Sequence, residues 1–262
     1  MSKEASNGNV AGRGPEVPDV VADRVFAEPR PRAEDFSFNK EVAAAFDDML
    51  DRSVPFYAET QRMVAELAAD FAQPGTNVYD LGCSTCNSFL QIDRILPADA
   101  GARFVGVDSS PDMLAKAESK LKSANFARPY TLHAADLNAG VEVENASVVM
   151  MVLTLQFIRP LYRERVIRAI ARGMVENGCL ILVEKVLGEH STFNRLFIKH
   201  YYEMKLRNGY SEMEIAQKRE ALENVLVPYR LEENRELLRG AGFQHVDVFF
   251  KWYNFCGILA MK

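Results

Sequence analysis

A short β-type run that ends in a turn of small residues constrains this chain more than any other feature. Residues 78–81 lead directly into Gly82 and Ser84, and a second run, residues 105–107, ends at Asp108, 26 positions after Gly82. In a parallel α/β sheet, such a turn lets a ligand approach the backbone at the end of one strand. An acid after the next strand can accept hydrogen bonds from both hydroxyls of a ribose. The two motifs together predict a nucleoside site at the carboxyl edge of a sheet.

The turn differs from the fingerprint of dinucleotide-binding loops. Of the three glycines in G-x-G-x-x-G only Gly82 is present, so the loop offers no cradle for a pyrophosphate. This argues against NAD and FAD and favours a ligand without phosphates, of which S-adenosylmethionine is the common one. Cys86 stands where a second glycine is usual, and we expect its side chain to lie where backbone and ligand come close.

Cys83 and Cys86 also form a C-x-x-C pair. A redox pair would need a thioredoxin-like setting, and a zinc site would need two further ligands at partner spacing. None of the four histidines is in a paired metal-ligand spacing. Buried structural thiols beside a ligand loop are the favoured interpretation.

Strands and helices alternate from about residue 77 onward, which predicts a doubly wound α/β sheet. A helical insertion at about residues 190–226 interrupts the alternation, and two last β runs are close enough to pair as an antiparallel hairpin. The predicted fold is therefore the Rossmann-like methyltransferase fold, with a mixed, mostly parallel sheet. The predicted strands are residues 77–81, 103–108, 130–133, 146–152, 179–183, 245–250 and 254–261.

Composition divides the chain into two parts. Residues 1–35 contain four prolines and little apolar periodicity, which predicts a disordered tail before a single domain at 36–262. The net charge of −5 argues against broad nucleic-acid binding. The apolar runs are shorter than the ~20 residues that span a bilayer, and the first residues have no hydrophobic signal core. We therefore expect a cytoplasmic protein without membrane contact.

Two further strand ends carry polar residues. Asp108 with Ser109 follows strand two, and Asp136 with Leu137 follows strand three, where a carboxylate and a backbone amide could reach an adenine edge. Each acid has a simpler interpretation: Asp108 could cap the next helix, and Asp136 could be a solvated loop residue. Together they are stronger, because ligands of open α/β sheets bind at the carboxyl ends of the strands.

The insertion contains an unusual polar string, residues 207–220. Ser211 and Glu214 have the spacing of a capping box, which predicts a helix start. Arg219 lies two turns into that helix. It belongs either to a solvated charged face or to the cleft, where its planar guanidinium could hold a carboxylate through two hydrogen bonds.

Eight short strings of the chain together match one family. They are RSVPFY at 52–57, YDLGCS at 79–84, ENAS at 144–147, TLQF at 154–157, EK at 184–185, NGYSE at 208–212, QKR at 217–219 and LENV at 222–225. Through them the chain, from Phe36 to Lys262, resembles the carboxy-S-adenosyl-L-methionine synthases, which begin the carboxymethyl branch of tRNA wobble-uridine modification. The resemblance implies a homodimer that moves a carboxyl group from prephenate onto the methyl carbon of S-adenosylmethionine, yielding carboxy-S-adenosylmethionine. A tRNA-modifying carboxymethyltransferase is the implied partner, without direct nucleic-acid binding.

The resemblance also assigns site residues. Arg219 aligns with the arginine that holds the new carboxylate, and Met151 stands where the family usually offers an asparagine to the ligand; no general base is obvious. The other implied nucleotide contacts are Tyr57, Gly82, Cys83, Ser84, Asp108, Ser109, Asp136 and Leu137.

Two other functions stay open at this point. One is an ordinary S-adenosylmethionine-dependent methyltransferase whose Arg219 holds the carboxylate of a small acid. The other is a nucleotide-binding or partner-binding homologue in which Cys86 and Met151 have impaired catalysis.

Overall fold

A computed structural model describes residues 21–29 and 34–262. Its strands are β1 (Asn77–Leu81), β2 (Arg103–Asp108), β3 (Tyr130–Ala134), β4 (Ala146–Val152), β5 (Met174–Leu187), β6 (Tyr229–Arg230), β7 (His245–Trp252) and β8 (Phe255–Met261). They form one sheet in the order β3-β2-β1-β4-β5-β8-β7, and β6 pairs with β5 beside this path. All neighbours from β3 to β5 are parallel, whereas β8 is antiparallel to both β5 and β7. The predicted mixed sheet with its C-terminal hairpin is confirmed.

The helices of the described residues are α1 (Lys40–Ser53), α2 (Tyr57–Phe71), α3 (Asn87–Asp93), α4 (Pro111–Ser123), α5 (Pro160–Gly173), α6 (Ser191–Arg207), α7 (Glu212–Ala221) and α8 (Leu231–Gly240). The start of α4 follows from its sequence, because Ser110 accepts a hydrogen bond from the Met113 N–H and Pro111 fits the first helical position. The capping box of Ser211 and Glu214 is also formed at α7, so α6 and α7 are the predicted helical insertion. Among the described helices, none is long and apolar enough to cross a bilayer.

Strand β4 lies at the centre of two hydrophobic layers. It is buried from Ala146 to Met151, as expected for a strand that is covered on both faces. Val149 and Met151 pack on one face with Ile167 of α5, while Met150 packs on the other with Phe89 of α3. Because side chains alternate along a strand, a shift of one residue moves a side chain to the opposite layer.

The structure corrects the predicted tail of residues 1–35 over residues 21–29. Val25 and Phe26 are buried in a cluster with Phe46 and Met113, and Asp23 is only 2% exposed. Two apolar side chains hold this segment against the domain. They form no helical or strand periodicity, so the sequence pattern did not predict the contact. The remainder of the predicted tail, residues 1–20 and 30–33, lies outside the described residues.

Candidate ligand-binding site

A cavity of about 710 Å³ opens at the carboxyl ends of β1, β2 and β4, beneath α1 and the insertion. This volume is within the ~300–1,000 Å³ of typical small-molecule sites. Eight of the ten predicted site residues line it: Tyr57, Gly82, Cys83, Ser84, Asp108, Ser109, Asp136 and Leu137. Met151 and Arg219 are not among the lining residues.

Gly82 is required at the first turn for two independent reasons. Its φ is +81°, a conformation that residues with a side chain rarely adopt. A Cβ at this position would also lie under 3.0 Å from three side-chain atoms of Thr154, which itself lines the cavity. The glycine therefore lets β1 end close against the loop that follows β4.

Asp108 fixes the loop that follows β1. Its Oδ2 accepts a hydrogen bond of 2.9 Å from the Ser84 N–H, and its Oδ1 accepts one of 2.9 Å from the Ser110 N–H. Burial raises the pKa of this carboxyl, and the backbone N–H groups oppose that rise. The two interpretations of Asp108 are thus compatible, since the carboxylate holds the start of α4 and still faces the cavity.

Asp80 is a lining residue that was not on the predicted list. Its side chain is 2% exposed, and Oδ1 has no hydrogen-bond partner among the described residues. The pKa of this carboxyl is raised to about 7, first by burial and to a smaller extent by the charge of Asp108, while a hydrogen bond from Ser88 opposes the rise. An unpaired buried carboxylate is costly, so Asp80 is suited to meet a cationic group of a ligand. Its place directly before Leu81 and Gly82 was the available sequence signal.

The third strand end contributes a looser pair. Asp136 is exposed, and its Oδ1 accepts hydrogen bonds of 2.8 and 2.9 Å from the backbone and side-chain amides of Asn138. Leu137 is buried beside it. The carboxylate is therefore oriented at the cavity edge while its other oxygen stays available.

Tyr57, the first residue of α2, is anchored by α2 and α3. Its hydroxyl accepts hydrogen bonds from Gln61 Nε2 at 3.2 Å and from Asn87 Nδ2 at 3.1 Å. Burial raises the pKa of this phenol, so the hydroxyl stays protonated and remains a donor toward the cavity.

The structure corrects the expectation that the Cys86 side chain would lie between backbone and ligand. Cys86 adopts the left-handed conformation with φ 58°, as a glycine position would, and its side chain is fully buried in the core with Phe89. Cys83 faces the cavity instead, and a hydrogen bond with Cys86, together with burial, raises the pKa of its thiol. Both thiols are free.

The structure moves the predicted ligand-facing residue of β4 from Met151 to its neighbour Val152. Its side chain is fully buried in the layer formed with α5, whereas Val152 lines the cavity. The prediction placed the ligand-facing residue of β4 one residue too early, and strand alternation turns that error into the wrong face. An aliphatic side chain therefore occupies this wall.

Arg219 does not line the cavity within this chain, and its predicted contact with a carboxylate stays a prediction. Arg219 is exposed on α7, as the solvated interpretation expected, and its neighbour Lys218 is 6% exposed and lines the cavity. One helical residue corresponds to a rotation of about 100°, since a turn takes 3.6 residues. The cation that α7 presents to the cavity is an ammonium and not a guanidinium.

Glu184 fixes the wall between β4 and the insertion. It is 2% exposed and accepts hydrogen bonds from the Leu155 N–H at 3.0 Å and the Gln156 N–H at 2.8 Å. Gln156 in turn accepts a hydrogen bond from the Lys185 backbone N–H at 2.9 Å. This arrangement places Lys185 at the cavity.

Solved structures with a similar fold define the class. An O-methyltransferase family protein from Burkholderia thailandensis aligns with a TM-score of 0.60 and 16% identity, over 84% of this chain and 60% of that chain. Human N-acetylserotonin methyltransferase in complex with S-adenosylmethionine aligns with a TM-score of 0.55 and 14% identity, over 85% and 55%. A methyltransferase domain model matches residues 78–178. The chain spans less than two thirds of either structure, and it has the fold of S-adenosylmethionine-dependent methyltransferases.

Sequence relatives are more specific. The carboxy-S-adenosyl-L-methionine synthase of Methylococcus capsulatus is 60% identical over 92% of this chain and 99% of its own length. The synthase of Desulfotalea psychrophila is 43% identical over 92% and 97%. The chain belongs to the carboxy-S-adenosyl-L-methionine synthase family. The predicted resemblance, and the prediction of a transferase of this family, are confirmed.

Proposed function

We propose that the protein transfers the ring carboxyl group of prephenate to the methyl carbon of S-adenosylmethionine. A C–C bond of prephenate and a C–H bond of the methyl group break, and a new C–C bond forms. The proton leaves with the prephenate hydroxyl as water, and the products are carboxy-S-adenosylmethionine and phenylpyruvate. The observation that carries this proposal is one cavity in which a nucleoside-type loop and a group of cations face each other, in a chain of this family.

The nucleoside end would hold S-adenosylmethionine through groups already in place. Asp108 would accept hydrogen bonds from the ribose hydroxyls, while Asp136 and the Leu137 backbone amide would meet the adenine. Asp80 would pair with the ammonium of the methionine part, because it is the unpaired buried carboxylate at this end. These contacts leave the methyl group directed toward the rest of the cavity.

The wider setting is part of the same proposal. The product would supply a carboxymethyltransferase that modifies tRNA wobble uridine, and the protein would act as a homodimer in the cytoplasm. The absence of a membrane-spanning helix among the described residues is compatible with this setting.

The test is a mass-spectrometric assay of the purified protein with S-adenosylmethionine and prephenate. We expect carboxy-S-adenosylmethionine and phenylpyruvate in equal amounts. S-adenosylhomocysteine together with a methylated acid would instead indicate an ordinary methyltransferase. Binding of S-adenosylmethionine without conversion would indicate an impaired homologue, and either result would overturn the proposal.

A further inference from the structure

Three lysines from three different elements line the end of the cavity that lies beneath the insertion. Lys185 comes from β5, Lys205 from α6 and Lys218 from α7. Lys205 and Lys218 are 5% and 6% exposed, and Lys185 is partly buried. Lysines are rarely buried unless they are paired, so three at one cavity wall need a physical explanation.

Two tyrosine rings bring the three ammonium groups into one cluster. The Tyr201 ring centroid is 4.8 Å from Lys185 Nζ and 5.1 Å from Lys205 Nζ. The Tyr210 ring centroid is 5.7 Å from Lys205 Nζ and 5.6 Å from Lys218 Nζ. The rings attract the cations without neutralising them, so the positive charge of the cluster remains.

The protein compensates this charge only in part. Lys218 Nζ is 3.7 Å from Asp23 Oδ2, which also accepts a hydrogen bond of 2.5 Å from the Tyr210 hydroxyl. Among the described residues, the buried Lys218 ammonium has no hydrogen-bond acceptor. Among the described residues, Asp23 therefore forms the one ion pair with these three cations, and the charge of Glu214 acts on Lys218 from farther away. An incoming anion would find unused donors.

The titration of the cluster supports the same view. The pKa of Lys205 is lowered to about 7 by burial first and then by the charges of Lys218 and Lys185, against the attraction of Asp23. Burial lowers the pKa of Lys185 and of Lys218 to about 8. A bound carboxylate would favour the charged amines and offset this cost.

We propose that Lys185, Lys205 and Lys218 form a subsite for the carboxylates of the acidic co-substrate, and that the subsite selects dicarboxylates over monocarboxylates. This rests on the proposed function, because it places the co-substrate at the end of the cavity opposite the nucleoside. Each ammonium offers three donors in no fixed plane, so three of them can share two carboxylates.

The test compares two lysines of α6, one inside the cavity and one outside. Lys205→Gln removes the central charge, and Lys199→Gln removes an exposed charge whose side chain is 65% accessible. Prephenate binding is measured by calorimetry in the presence of S-adenosylhomocysteine. We expect the Kd for prephenate to rise at least tenfold in Lys205→Gln and to stay within about twofold in Lys199→Gln.

Ligand binding at the nucleoside end serves as the control for correct folding of the variants. The Kd for S-adenosylhomocysteine should be the same in wild type and both variants, and Lys205→Arg should recover part of the prephenate affinity. Phenylpyruvate, which lacks the ring carboxylate, should bind wild type more weakly than prephenate does. The ratio of the two Kd values should be smaller in Lys205→Gln than in wild type. Equal prephenate affinity in wild type and Lys205→Gln would overturn the subsite. Lysine-dependent prephenate binding without formation of carboxy-S-adenosylmethionine would overturn the proposed function and leave the subsite standing.

Discussion

The two ends of the cavity are built in opposite ways. At the nucleoside end, Gly82, Asp108 and Asp136 follow three neighbouring strands, and the charged side chains are carboxylates. At the lysine end, Lys185, Lys205 and Lys218 come from a strand and two insertion helices, and the charges are positive. The polarity matches a substrate pair in which one molecule carries an ammonium and a sulfonium and the other carries carboxylates.

The ends also differ in what holds them in place. Backbone N–H groups within the same loops satisfy Asp108, so the nucleoside end is fixed by local structure. The lysine end depends on Asp23, which lies 195 positions before Lys218, and on the rings of Tyr201 and Tyr210. We therefore expect the nucleoside end to be most sensitive to changes of its backbone conformation, and the lysine end to be most sensitive to changes of its charged side chains.

The largest effect is expected from Gly82→Ala. A side chain at φ +81° costs about 1–2 kcal/mol, and overpacking against Thr154 adds about 1–3 kcal/mol of unfolding free energy. We expect S-adenosylmethionine binding to fall below detection in calorimetry. Gly75→Ala is the matched control, because its φ is +75° but no atom lies within 4 Å of the added Cβ. Equal losses of unfolding free energy in the two variants would show that the contact with Thr154 is unimportant.

Asp108→Asn should weaken the nucleoside end without unfolding it. The amide keeps one acceptor but turns an N–H group toward a backbone donor, which costs about 1–3 kcal/mol. That corresponds to a roughly 5- to 150-fold higher Kd for S-adenosylmethionine, since each 1.4 kcal/mol is tenfold. The exposed loop residue Asp99 provides the control, Asp99→Asn. Prephenate affinity should change little, and a parallel loss would mean that the two ends are not separate.

Asp23→Asn tests the lysine end through the carboxylate that forms an ion pair with Lys218. The change leaves the buried Lys218 ammonium without an ion pair and weakens the bond to Tyr210, so we expect a loss of about 1–3 kcal/mol in unfolding free energy. Chemical denaturation measures it, with the exposed Glu34→Gln as control. S-adenosylmethionine affinity should be retained. An unchanged midpoint would mean that the 21–29 segment does not stabilise the insertion.

The nucleoside end could be predicted from the sequence because each of its motifs is a contiguous stretch of the chain. Gly82 and Asp108 each follow a recognisable strand, and the alternation of strands and helices predicted the sheet that aligns them. The prediction failed by one residue at Met151, where the face of the strand must be known to decide between neighbours. A motif locates a residue along the chain, but packing determines the direction of its side chain.

The lysine end and the docked 21–29 segment could not be predicted in this way. A lone lysine has no local signal that distinguishes a buried ammonium from a solvated one, and only the contact of β5, α6 and α7 creates the cluster. Asp23 and Phe26 lie in a proline-containing stretch whose few apolar residues show no period. Information about these positions is distributed over the chain.

The smallest effect is a change in the pH dependence of stability. The folded state lowers the pKa of Lys205 to about 7 and of Lys185 and Lys218 to about 8, while unfolded lysines titrate near 10.4. Between about pH 8 and pH 10 these lysines therefore bind more protons in the unfolded state, so their contribution to the free energy of unfolding rises with pH. The buried acids Asp80 and Glu184, with pKa values raised to about 7 and about 8, act in the opposite sense at lower pH. The buried thiols Cys179 and Cys256, whose pKa burial raises, act in the opposite sense above about pH 9, so the lysine contribution is obtained from the difference between variants.

Lys205→Gln should lower the slope of the unfolding free energy against pH relative to wild type. Each lysine contributes at most about 1.4 kcal/mol per pH unit, and the loss of one charge also lets the amines of Lys185 and Lys218 hold their protons to higher pH. Denaturation curves at pH 8, 9 and 10 measure the slope, with Lys199→Gln as the exposed control. Identical slopes in wild type and Lys205→Gln would mean that Lys205 remains charged in the free protein and already has a partner. The nucleoside end, whose Asp108 is hydrogen-bonded by backbone N–H groups, and the lysine end, with its uncompensated positive charge, would then no longer differ in this respect.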